Sequence, residues 1–476
     1  MKSRFTAKPV FWLILILTSV GSFNSLLLNQ LNDYRDDYGL TRMEPLENAP
    51  PALAFSSVAL GGFRGLIANY LWIRTTNLED RGQYFEGMTL AGWITKLQPT
   101  FGAVWAHLGW NMVYNISKQF NDPQDRWTWV NAGIRLLRDE GLRYNPRDPL
   151  LYQELAWFYH HKIGKAFDDA HYYYKQVLAL EMKTLIGSPT HWPALLNPQT
   201  TEELSRVIQL KEKHGLHPEF LKSVDEEFGP LDWRLPESLA IYWAAYGLEQ
   251  CGKSDLLPLR RIIWQSMSLA FQRGRMIEDE LDQKIDYAPN LEIIDKVNQT
   301  FLDSKEAEPE KQFKISRGHR TFLKLAIYSL FTYGRIQEAA DWFLYLGREY
   351  PDDPEIIGKT LAQFAMEQTS ADAVSGNMTQ NRSIIGGLII NAYNAFVLGE
   401  DDRGNGYMLL AMTIHERYQQ KIVGEESRIG LPSFQKLKET VSSEILQGKH
   451  GFSSLKLQRL VSLFGTQPTD GNAPQN

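Results

Sequence analysis

The chain has 476 residues, 43% hydrophobic and 22% charged, enough to bury a large core in more than one packing unit and too apolar for global disorder. A net charge of -6 and a pI near 6.0 argue against nucleic acid as a partner, because phosphate binding needs a concentrated basic face. One cysteine, Cys251, excludes an internal disulfide and a thiolate zinc site.

Lys2, Arg4 and Lys8 form a basic flank over 1–9, followed by an apolar run over 10–28 just long enough to cross a bilayer as a helix. The leading basic residues hold the first segment in the cytoplasm and send the rest across. The expectation is a single-pass anchor in the bacterial cytoplasmic membrane, with the bulk of the chain extracytoplasmic. A cleaved signal peptide is the alternative, since Val20-Gly21-Ser22 resembles a small-residue cleavage site. Either way the rest of the chain is exported. Residues 29–51 are polar, end in Asn48-Ala49-Pro50-Pro51 and read as a linker. A second apolar stretch, 52–73, carries Arg64, a charge that is costly in hydrocarbon, so a packed or interfacial helix is expected there.

From that point apolar residues recur at helical spacing, and no convincing run alternates as a strand would. The chain is expected to be all-α, with one helical array over 52–185 and a second over 236–465. Between them, 186–235 reads as a linker or cap, interrupted by three prolines over 187–198. The polar tail 466–476 is expected to be disordered.

Several motifs carry chemistry only in the right context. Gly247-Leu248-Glu249-Gln250-Cys251-Gly252-Lys253-Ser254 has the letters of a phosphate-binding loop. That loop must follow a strand, whereas 238–246 reads as a helix, so an inter-helix turn without nucleotide is expected. His160, His161, Asp168, Asp169 and His171 lie close in sequence, but adjacent histidines on a helix diverge by about 100°. Polar surface or groove residues are the expectation there, with no metal or other cofactor. Asp122 and Asp125 lack the regular oxygen spacing of a calcium loop and read as an exposed turn. Asn115, Asn298, Asn377 and Asn381 stand in glycosylation triplets.

The first array contains a spacing of about 34 residues. Counting Ala68 as position 1 puts Leu71 at 4, Ala91 at 24, Ile94 at 27 and Pro99 at 32. The next window opens at Gly102 and has Trp105, Leu108 and Gly109 at positions 4, 7 and 8, with Gly141 at its small position before Asn145-Pro146. A third, from Pro149, offers Tyr152, Leu155, Ala156 and Tyr159, then Ala170 and Tyr174. Downstream, a window from Arg320 places Leu323, Ala326, Leu330, Ala339, Phe343, Leu346 and Pro351. These residues resemble the tetratricopeptide repeat (TPR) family over 68–185 and 320–351, with 236–271 and 383–420 as degenerate members. Residues 60–164 also resemble N-terminally membrane-anchored bacterial repeat proteins, a likeness that names no activity.

The resemblance implies a solenoid of helical hairpins whose concave groove holds a protein or extended peptide. In that family the first helix of each pair faces the partner, at positions 2, 5, 9, 12 and 13. Carried over, position 5 gives Trp72, Ala106 and Gln153; position 9 gives Trp110 and Trp157; position 12 gives His160; position 13 gives Tyr114 and His161. Packing between repeats is the competing role for the tryptophans. Lys175, on a second helix, is expected to face outwards. The family's carboxylate clamp of Lys and Asn is absent from these positions. The expectation is a non-enzymatic scaffold at the membrane; the alternatives are an envelope-polymer hydrolase or transferase with repeats that present substrate, and a released soluble binder.

Overall fold

A computed structural model describes residues 63–252, 256–279, 284–369, 378–423 and 430–464. Of the first 62 residues it describes Leu27, Gln30 and Tyr34, all helical and exposed, the last two inside the expected linker. The expected flank, anchor and tail therefore lie largely outside the described residues. No helix among the described residues is long and apolar enough to cross a membrane.

The described chain is predominantly helical. Helix α1 (Phe63–Asp80) pairs with α2 (Tyr84–Leu97). Ala68, Leu71, Ala91 and Ile94 fill the interface between them. The second pair is α3 (Gly102–Trp110), which runs on through a wide π-helical turn (Asn111–Ile116), and α4 (Pro123–Arg135), which runs on through another (Leu136–Gly141). Asp122 starts α4 by accepting a hydrogen bond from the Gln124 N–H at 2.7 Å, with Pro123 in the first turn. The expected exposed turn is thus a helix cap.

The two helices cross where neither carries a side chain. A Cβ on Gly109 would lie 2.9 Å from Leu137 Cγ, and one on Gly133 would lie 2.6 Å from Val113 Cγ2 and 2.9 Å from the Gly109 carbonyl. Only glycine lets the backbones come this close.

The third pair is α5 (Pro149–Trp157), continued by a π-helical turn (Phe158–Gly164), and α6 (His171–Ile186). Asp148 caps α5 through the Leu150 N–H at 3.0 Å.

Residues 186–235, expected as a linker or cap, contribute to the core. They form α7 (Trp192–Leu196), α8 (Thr201–His214) and α9 (Pro218–Phe228). Leu210, Leu221, Val224 and Trp233 join the same buried cluster as the third pair. Helix α10 (Pro236–Gln250) lies against α5, and Gly247 explains how: a Cβ there would meet Tyr152 Cβ at 2.6 Å. The phosphate-loop letters therefore begin in a helix, 247–250, and turn only at Cys251 and Gly252.

The described chain is all-α in class, and one short hairpin is set among its helices. After α11 (Leu257–Arg273), strands β1 (Arg275–Asp279) and β2 (Lys284–Ala288) pair antiparallel, Met276 opposite Tyr287. Buried Met276 packs with Ala179 and Leu235, while the Arg234 guanidinium donates to its carbonyl at 2.9 Å. Helices α12 (Ile294–Ala307), α13 (Gln312–Thr332), α14 (Ile336–Glu349), α15 (Leu361–Thr369), α16 (Met378–Val397), α17 (Asp401–Lys421), α18 (Phe434–Leu446) and α19 (Ser454–Phe464) complete the described chain. Most pack against their neighbours in sequence. Gly334, at φ +73°, makes the tight reversal between α13 and α14 that a side chain would strain.

Of the glycosylation triplets, Asn381 is buried and Asn298 accepts a hydrogen bond from His319 Nε2 at 2.7 Å when that nitrogen carries the proton. Asn115 bonds to Asn111 within the wide turn of α3, and Asn377 lies outside the described residues.

Candidate functional site

Both first helices of the second and third pairs change winding at the same place. Regular α-helix ends at Trp110 in α3 and at Trp157 in α5, and a wide turn follows in each. A turn closed by i→i+5 bonds holds an extra residue and re-aims the side chains after it. The two wide turns face one another, and an aromatic cluster forms between them.

Trp110, 41% exposed, lies 5.1 Å from the buried ring of Tyr114. The Tyr114 hydroxyl hydrogen-bonds to His161 Nδ1 at 3.1 Å. Half-buried His161 stacks on half-buried Trp157 at 4.8 Å, with the planes 8° apart. Exposed Phe167, from the loop after α5, closes the cluster 4.6 Å from His161 and 6.1 Å from Tyr114. Four of the sequence-derived residues, Trp110, Tyr114, Trp157 and His161, are thus brought together.

The others are placed differently. Trp72 is half-buried away from the cluster, where its ring meets His107 at 5.0 Å and Phe101 at 6.2 Å. His107 in turn bonds to Glu79 at 2.9 Å, and Asn111 Nδ2 donates to the same carboxylate at 2.6 Å. His107, Asn111 and Tyr114 occupy successive turns of one helix face, which links the Trp72 patch to the main cluster. Gln153 is half-buried, and its side chain makes no hydrogen bond among the described residues.

His160 is not a groove residue. It is fully buried, with Nδ1 2.9 Å from Ser266 Oγ on α11, and burial followed by the charges of Lys165, His161 and Arg273 pushes its pKa down to about 3. The wide turn has rotated position 12 inwards and left His161 at the surface. Lys175 is likewise buried, its ammonium 2.9 Å from His171 Nδ1, so it does not face outwards. The histidines turn to separate partners, Ser266 for His160, Tyr114 for His161 and Lys175 for His171, whereas Asp168 and Asp169 share Arg126.

Asp168 is buried beneath the cluster. It pairs with the fully buried Lys162, accepts from Arg126 Nη1 at 3.0 Å and from the Ala170 N–H at 2.9 Å, while Lys162 also donates to Ser117 Oγ at 3.0 Å. Burial raises the Asp168 pKa, but these hydrogen bonds and the charges of Lys162 and Arg126 outweigh it and hold the group at about 2. The pairing fixes the loop that carries Phe167.

Sequence reasoning passed over three neighbours. Glu154 sits one turn before Trp157 with its carboxyl oxygen Oε2 buried and unpartnered, and burial pushes its pKa up to about 7. Exposed Lys118 stands 4.6 Å over the Phe167 ring, and half-buried Lys165 stands 5.9 Å over Trp157. Neither lysine makes an ion pair among the described residues. Lys118 and Lys165 both occupy position 17 of their windows, a signal available in the sequence.

His161 is kept neutral by burial, with Lys165, Lys162 and Lys118 adding to that effect. Tyr114 is kept protonated by burial and by the charge of Glu154. The cluster therefore offers flat, partly wet rings and two flanking cations, an arrangement suited to holding an apolar or aromatic segment.

Glu154 also yields a stability prediction. Between about pH 4.5 and 7 the folded state keeps a proton that the unfolded chain releases, so this group makes stability fall as pH rises. Glu154→Gln is expected to remove that slope and to leave the variant more stable above pH 7, by on the order of 1–3 kcal/mol. Urea titrations at about pH 5 and pH 8 measure it, and an unchanged slope would place the carboxyl in water.

Compared with protein-family models, curated proteins and solved structures, the chain matches none.

Proposed function

We propose that this chain is a membrane-tethered scaffold of TPR-like helical hairpins whose aromatic strip, from Trp72 through Trp110, Tyr114 and Trp157 to His161, receives a protein or extended peptide. The reading puts the bulk of the chain on the extracytoplasmic face of a bacterial cytoplasmic membrane, held by the apolar segment 10–28, in an envelope, secretion or transport complex. It assigns binding, not catalysis, to the strip, and gives it no cofactor.

The observation that carries the reading is the cluster between the two wide turns. Trp110 and Trp157 hold equivalent positions on successive first helices, and their rings, with those of His161 and Phe167, remain partly in water. A ring needed only for packing gains most from complete burial. Partly exposed aromatics at a concentrated site are the residues that interfaces use as anchors. The packing of helices mainly on their sequence neighbours supports the solenoid part of the reading.

Photo-crosslinking in cells from positions 110 and 157 tests it, with exposed Leu180 on α6 as the control. A discrete adduct from both groove positions and none from 180 is the expected result. Trp157→Ala should then weaken capture of that partner by about 2 kcal/mol, roughly 30-fold. Equal labelling at all three positions, or capture indifferent to Trp157→Ala, would overturn the groove assignment.

A further inference from the structure

Helix α1 is apolar on two opposite sides. One side, with Ala68 and Leu71, packs on α2. The other presents Phe63, Leu66, Tyr70 and Ile73 at 71%, 65%, 62% and 62% exposure, with Ile67 beside them. At 3.6 residues per turn these five positions fall in one continuous stripe. Exposed Arg74 lies within the same stripe, and the helix's acidic residues, Glu79 and Asp80, are confined to its last turn.

We propose that this outer face of α1 lies on the surface of a phospholipid bilayer. The inference rests on the membrane-tether reading of 10–28 and says which side of the folded body meets the membrane.

Three observations select lipid as the occupant. Residues 29–62 are all the chain between α1 and the apolar run, so any bilayer holding that run is kept close to α1 at high effective concentration. Among the described side chains the charge on the face is a single arginine set among apolar groups, with acids kept to the end. Such a stripe puts rings and aliphatic groups at the acyl boundary while the guanidinium reaches phosphate. Finally, α1 is too weakly apolar to cross a bilayer, and its opposite side is committed to α2. Lying in the interface is the one membrane geometry that keeps both faces covered.

The test uses the full chain reconstituted into vesicles of phosphatidylcholine and phosphatidylglycerol containing lipid with a shallow nitroxide. An environment-sensitive fluorophore is attached through Leu66→Cys or Tyr70→Cys, and through Phe313→Cys as the control, a residue 85% exposed on α13. The native thiol, Cys251, is buried, and unsubstituted protein supplies the blank. Quenching at 66 and 70 about threefold or more above that at 313 is the expected result. Vesicle-bound protein with equally weak quenching at all three sites overturns the docking while leaving the tether intact. Protein that does not stay with the vesicles overturns both. A disulfide between Tyr70→Cys residues of two copies, with no quenching at 66, overturns the lipid assignment in favour of self-association.

Discussion

Asp168→Ala is expected to cost the fold about 3–5 kcal/mol, because it leaves the ammonium of Lys162 fully buried without its counter-charge. Ser117 Oγ alone cannot neutralise it. The same deletion frees the loop bearing Phe167, so the aromatic cluster should loosen with the fold. The partner that bridges to solvent matters much less: Asp169 also pairs with Arg126, but its side chain is 84% exposed, so Asp169→Ala should change stability by less than about 1 kcal/mol. Replacing both buried charges with apolar residues, Lys162→Met with Asp168→Leu, should recover most of the loss. Chemical denaturation of the four proteins measures this, and near-equal losses from Asp168→Ala and Asp169→Ala would mean that water reaches the pair.

Acid titration gives the same interaction a sign. The Asp168 carboxyl is held at about 2, below its unfolded value, so its contribution is fully present above about pH 4 and is lost as pH falls towards 2. Glu154, raised to about 7, acts in the opposite sense between about pH 4.5 and 7. The protein should therefore be most stable between the two, near pH 5, so far as these groups decide it.

The second large effect concerns two glycines on the paired helices α16 and α17. Gly406→Ala is expected to destabilise by about 3 kcal/mol, since its Cβ would lie 1.7 Å from the Thr332 carbonyl oxygen and 2.8 Å from the Tyr333 N–H nitrogen. Those are backbone atoms at the end of α13, and they can yield only if α13 and α17 part. Gly387→Ala, within α16, meets nothing within 4 Å and should stabilise by about 0.5–1 kcal/mol through helix propensity. Thermal melts of the two variants should shift in opposite directions. Shifts of the same sign would show that α17 does not cross the end of α13 this closely.

Some of the site could be read directly. Gly109 marks where α3 meets α4 because a side chain there would run into Leu137, while Leu108 beside it packs with Ala68, Leu71 and Ile94 of the first pair. Asp122, expected in an exposed turn, and Asp148 cap α4 and α5, each with a proline next in the chain, since a short carboxylate and a pre-set φ satisfy the first turn locally. Trp110, Tyr114, Trp157 and His161 were legible as a group through their equivalent spacing. Glu154 was not. A glutamate between Gln153 and Leu155 looks like any surface residue, and only the packing against α3 withdraws it from water. The strands β1 and β2 are not legible in the sequence because five-residue runs that each hold two or more charges carry too few apolar positions to reveal a period of two.

The amino-acid sequence determined by itself the helical character of the described chain, the starts of α4 and α5, and the places where helices approach closely, because each depends on side chains within a turn or two. The tertiary structure decided what those elements bury. It turned His160 inwards and left His161 at the surface through a winding change that no residue pattern announces. It drew 186–235 into the core and enclosed Lys162 with Asp168. Burial, and with it the charge state of each group, is set by neighbours distant in sequence, and those neighbours exist only once the helices have packed.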